Sequence, residues 1–130
     1  MISEKYKVLI DRLVSSTKKK LIKWEQTSSE SKFKAKIGIG TITIEKAIEW
    51  DINGNPTGEY SRLAIINDEG IEADCIHLDN NLSNQTDYNL LEELYEVASD
   101  STLKISDTIQ SMLDELDKLD DIGKELDDLL

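Results

Sequence analysis

Apolar residues recur at three- and four-residue intervals through Tyr6, Leu9, Ile10, Leu13, Val14 and Thr17, a spacing that predicts an amphipathic helix within residues 1 to 20. Ser3 is placed to cap it, and Lys18, Lys19 and Lys20 fall at its last turn, where cations favour the helix dipole. The period then changes to two. "LIKWEQT" reads as a strand, "SSES" as a turn and "KFKAKIGI" as a second strand, with Phe33, Ala35 and Ile37 on one face and Lys32, Lys34 and Lys36 on the other. Beyond a turn at Gly38 and Gly40, Ile42, Ile44, Ile48, Trp50 and Ile52 occupy even positions. Lys46 alone interrupts that face, and its stem is expected to carry the ammonium to the sheet edge.

"LAIINDEGIEADCI" predicts a hairpin turning at Asn67–Gly70, with Ile65 opposite Ala73 and Leu63 opposite Cys75. Five antiparallel strands over residues 21 to 78 follow. After the polar loop "LDNNLSNQT", Thr86 or Asp87 is placed to cap a helix starting near Tyr88. Its stripe of Leu90, Leu91, Leu94, Tyr95, Val97 and Ala98 suits packing on the sheet. An unbroken helix over residues 88 to 130 would run about 65 Å, more than one small sheet covers, so a bend at "SDST" (99 to 102) or a protruding end is expected, with Gly123 a late weak point. Ile105, Ile109, Met112, Leu116, Leu119, Gly123, Leu126 and Leu130 form a short heptad seam, widened by Leu113, Ile122 and Leu129. The expected fold is α+β: an N-terminal helix, an antiparallel β-meander of about five strands, and a C-terminal helical region over residues 87 to 130, long or kinked, packing on the sheet.

Length and charge change this picture in two ways. At 130 residues the chain has the size of one domain with one core. The net charge of −12 is unevenly spread: residues 1 to 36 carry ten Lys/Arg against four Asp/Glu, so the remainder is strongly acidic. Such a surface opposes nucleic acid and anionic lipid and favours a basic partner. One cysteine excludes an internal disulfide, and no segment approaches the length of a membrane span, so a cytoplasmic location is expected.

Candidate chemistry is sparse. Asp51, Asn53 and Asn55 in "DINGNPTGEY" are spaced like calcium-loop ligands, but Pro56 stands where the loop needs glycine and Arg62 where it needs a bidentate glutamate. Cys75, His77 and Asp79 share a strand face; with no second Cys or His in the chain they are read as a buried cysteine and a strand-end histidine, with no metal, no cofactor and no catalytic residue assigned. Trp24, Trp50, Tyr60 and Arg62 are a candidate aromatic pocket for a small ligand or nucleotide. "GIGT" lacks the context of a phosphate loop.

The succession of "IKWEQT", "INDEG" and "LLEELYEVA" before a leucine-spaced tail resembles small uncharacterised bacterial and phage α+β proteins, a resemblance that carries no activity or functional residue with it. The leading expectation is a non-enzymatic interaction protein, of antitoxin, immunity or phage host-factor-inhibitor type. Met112, Leu116, Leu119 and Leu126 would be its anchors, and Asp117, Asp120 and Asp121 the groups facing a basic or groove-like partner surface. The alternatives are the small-ligand module and a structural homodimer paired through residues 105 to 130.

Overall fold

A computed structural model describes residues 2 to 129 of the chain; Met1 and Leu130, the last seam position, lie outside the described residues. Helix α1 spans Glu4–Lys18. Strands β1 (Glu25–Gln26), β2 (Lys32–Ile37), β3 (Gly40–Trp50), β4 (Pro56–Ile66) and β5 (Glu72–Asp79) follow, paired antiparallel in sequence order. A short 3-10 turn (Leu82–Asn84) leads to helix α2 (Gln85–Leu103) and helix α3 (Ile105–Leu129). The fold is the expected α+β meander with flanking helices.

Helix α1 begins where the Ser3 hydroxyl accepts the Tyr6 N–H and buries Ile10, Leu13, Val14 and Thr17. It ends in the lysine run: Lys20 takes φ +62°, and the Leu21 and Lys20 amides bond back to the carbonyls of Ser16 and Thr17. This is the left-handed helix terminus usually given to glycine. The strand expected over "LIKWEQT" shrinks to Glu25 and Gln26. Trp24 is drawn into the core instead, where its indole N–H donates to Thr17 Oγ1 at 2.9 Å and the Thr17 hydroxyl donates to the Leu13 carbonyl at 2.6 Å. That anchor wraps residues 21 to 24 around the end of α1 and leaves only an edge remnant to pair with β2.

Alternation puts Phe33, Ala35, Ile42, Ile44, Leu63 and Leu78 on the covered face of the sheet, against Ile10, Leu13 and Val14 of α1 and Tyr88, Leu91, Leu94 and Ala98 of α2. Helix α2 lies across β2 to β5 and α1 packs on α2. The opposite face carries Lys34, Thr43, Glu45, Arg62 and His77 in neighbouring strands, and no helix among the described residues crosses it.

The β4–β5 turn forms at Asn67–Gly70 as expected, with Gly70 at φ +79° and Asn67 Oδ1 accepting the amides of Glu69 and Ile71. The register does not follow the expectation. Ile66 pairs with Glu72 but Ile65 pairs with Asp74, so Ala73 is an extra residue in a bulge. Leu63 therefore faces Ile76, and Cys75 faces Ala64. Because side chains alternate, this single added residue turns Ile76 and Leu78 toward the core and exposes Cys75, which the sequence reading buried.

Helix α2 starts at Gln85, earlier than expected, and Asn84 makes no side-chain cap. Asp87, a candidate cap, is instead buried in the first turn, where Oδ2 accepts the Ile2 N–H at 2.9 Å and ties the chain's start to α2. The expected break at residues 99 to 102 falls at Lys104, whose φ of +54° separates α2 from α3. "SDST" still contributes: Asp100 Oδ1 accepts both the N–H and the hydroxyl of Ser106 at 2.8 Å, capping the start of α3.

Candidate functional site

Helix α3 is 25 residues long and buries none of them. At about 1.5 Å per residue it extends roughly 37 Å. Its first turn is tethered by Asp100 to Ser106 and by Lys20 Nζ, 3.4 Å from Asp107 Oδ1. Beyond Asp107, no hydrogen bond or ion pair among the described residues joins α3 to the body of the protein.

At about 100° per residue, Ile105, Ile109, Met112, Leu116, Leu119 and Leu126 gather in one stripe, with Leu113 and Ile122 flanking it on its two sides. Every one of them is exposed, from 43% at Ile105 to 60% at Met112. An apolar stripe of this length is ordinarily buried against another element, because removing such area from water stabilises by about 25 cal/mol per Å². The four anchor residues named from sequence, Met112, Leu116, Leu119 and Leu126, lie together in this stripe. Of the three named acids, Asp120 borders it, whereas the same geometry turns Asp117 and Asp121 toward the back of the helix. Asp127 shares the Asp120 edge and Glu115 borders the other; the helix carries nine Asp/Glu against two Lys.

The candidate aromatic pocket does not assemble. Trp24 is a core residue bonded to Thr17. Trp50 sits at the far end of β3 opposite Pro56 and is 61% exposed. Tyr60 and Arg62 lie on the open face, alternating with the inward Ser61 and Leu63. Arg62 is held by Glu72 through bonds of 2.6 and 2.7 Å, which also raise its pKa. Lys46 does not reach for the sheet edge: it stays under α2, half-buried, 2.7 Å from Glu92 and 3.9 Å from Glu59.

The loop that resembled a calcium site is closed by its own backbone, since Asp51 Oδ1 accepts the amides of Asn53 and Asn55, both at 2.9 Å. Cys75, His77 and Asp79 do share the open face, but Cys75 has no hydrogen bond to His77 among the described residues. The imidazole meets Glu49 from β3 instead, Nε2 to Oε1 at 3.2 Å, and Asp79 Oδ1 at 3.5 Å, while its ring stacks on Tyr60 with centroids 4.5 Å apart. The Tyr60 hydroxyl has a raised pKa, through burial first and the negative charges of Glu45 and Glu49 second. Glu49 escaped the sequence reading because it lies 28 residues from His77 and two strands away. Only the strand register, Ala47 to Tyr60 and Tyr60 to Asp79, brings the two ends together.

No helix among the described residues is long and apolar enough to cross a membrane. Comparison with protein-family models, with curated proteins and with solved structures finds no match.

Proposed function

We propose that this chain is a non-enzymatic interaction protein that presents α3 to a protein partner. The observation that carries the reading is the exposed apolar stripe on a 25-residue helix that buries no residue. An amphipathic helix is a ready ligand for an apolar groove, with side chains at three- and four-residue spacing as anchors. The surplus of seven carboxylates on α3, from nine Asp/Glu and two Lys, selects a groove with a basic rim. An antitoxin, immunity protein or phage inhibitor of a host factor would act by such occupation, and the acidic chain suits that class.

Homodimerisation is the second reading, favoured by the three-and-four alternation of Ile109, Met112, Leu116 and Leu119. Two copies of α3 would bring like charges together, which weighs against a tight pair at low salt.

The test compares the full chain with Leu116→Glu/Leu119→Glu in capture from bacterial lysate and in solution molar mass. A specific partner lost by the variant supports the reading. Equal capture by both proteins, or a monomer that retains nothing, refutes it.

A further inference from the structure

On the open face, β3 and β5 bring three donor groups around one point while β4 lies between them. We infer that Glu49, His77 and Asp79 form a site for one transition-metal dication of the zinc type, bound by His77 Nε2 and one oxygen of each carboxylate, with water completing the shell. Both carboxylates approach the same nitrogen, at 3.2 and 3.5 Å. A neutral imidazole has one proton at most to offer there, so one N–H faces two acceptors; a cation satisfies all three donors at once.

The spacing suits zinc. Bonds of about 2.0 to 2.1 Å in tetrahedral geometry set neighbouring donor atoms about 3.3 Å apart, between the two observed distances. All three donor atoms lie within 4.8 Å of one another, so closing the third side takes only a small side-chain adjustment. An imidazole ligand suits zinc, copper or nickel, whereas calcium and magnesium need more oxygen donors than this site offers. Tyr60 holds the imidazole plane by stacking at 20°, the orienting role that supporting groups play around metal-bound histidines. The bound ion would clip the exposed end of β3, beside Ile48 and Trp50, to β5.

The experiment titrates the full chain with zinc chloride, and separately with magnesium chloride, by calorimetry and by NMR of the imidazole. His77 is the sole histidine, so its ring signals need no further assignment. Zinc should shift those signals at one equivalent and raise the melting temperature, and magnesium should do neither. His77→Ala should abolish that binding step, while Glu49→Gln and Asp79→Asn should each weaken it by more than about tenfold. Cys75→Ser should leave it unchanged, which separates the site from capture by the exposed thiol. These side chains lie on the exposed face, and circular dichroism verifies that each variant is folded. An unmoved imidazole signal at saturating zinc, full affinity in both carboxylate variants, or loss of binding in Cys75→Ser would each overturn the assignment.

Discussion

The ammonium of Lys46 lies 2.7 Å from the Glu92 carboxylate, joining the covered face of β3 to α2. The alternation of β3 calls for an apolar residue at this point, and the pair satisfies a charge that would otherwise sit half-buried without a partner. The hydrogen bond from Lys46 to Glu92 raises the lysine pKa. Glu92→Gln should therefore cost about 1 kcal/mol in urea unfolding, between the values for exposed and buried pairs. A raised lysine pKa contributes stability that is full below the ordinary value of 10.5 and fades as pH climbs above it. Lys46→Met should remove that part of the alkaline loss.

All four tyrosines have raised pKa values, and Tyr6, whose hydroxyl donates to Asp74, is pushed up to about 12. The neutral phenols are thus favoured by the fold, and the stability they confer is present below the ordinary tyrosine value of 10.0 and lost as pH rises above it, for Tyr6 as pH passes about 12. Spectroscopic titration of the folded protein should show less than half of the phenols ionised at pH 10, and addition of denaturant at that pH should increase the phenolate. In Tyr6→Phe the latest-titrating component should vanish. A normal titration of four phenols in the folded state would contradict this.

Core and seam leucines should behave oppositely. Leu91 of α2 is fully buried against the covered face of the sheet, so Leu91→Ala should cost about 2 to 5 kcal/mol by denaturant unfolding. Leu116→Glu/Leu119→Glu touches no buried group and should leave the stability of the body within about 0.5 kcal/mol, while eliminating whatever α3 binds.

Salt should separate the two readings of α3. Binding to a basic-rimmed partner should weaken between low and physiological ionic strength, as screening shortens the reach of the carboxylates to about 8 Å. Self-association should instead strengthen with salt, because the like charges on two copies of α3 are then screened. Molar mass and capture measured across one salt series decide between them.

Asp100 caps α3 through Ser106, and Lys104 holds the left-handed residue between the helices. Asp100→Ala should fray the first turn of α3 by about 1 kcal/mol, read as lost helical circular dichroism. Lys104→Gly should relieve the backbone cost at φ +54° and leave helical content unchanged.

The periodicities of the chain carried the secondary structure well. Three-and-four spacing marked α1, α2 and the α3 stripe; period two with Asn67–Gly70 and Gly38 marked the strands of the meander. Errors arose where one residue's tertiary role overrode its local pattern. Trp24 left the strand pattern for the core, Asp87 gave up capping to hold Ile2, and Lys46 stayed beneath α2 because Glu92 was there to meet it. The partners of Asp87 and Lys46 are remote in sequence, and Thr17 lies across a change of chain direction from Trp24, so strand and helix periodicity could not reveal them.

What the sequence determined by itself is therefore the class of fold, the existence of the α3 stripe and its surplus of carboxylates, since each depends only on residue type and spacing. Tertiary structure alone decided that α3 stands away from the body and that Glu49 meets His77 and Asp79 on the open face. The first outcome depends on what else fills the covered face, the second on strand register. Helices α1 and α2 already occupy the apolar covered face, so α3 has no place on it, and the bulge at Ala73 sets the alternation that turns Cys75, His77 and Asp79 outward.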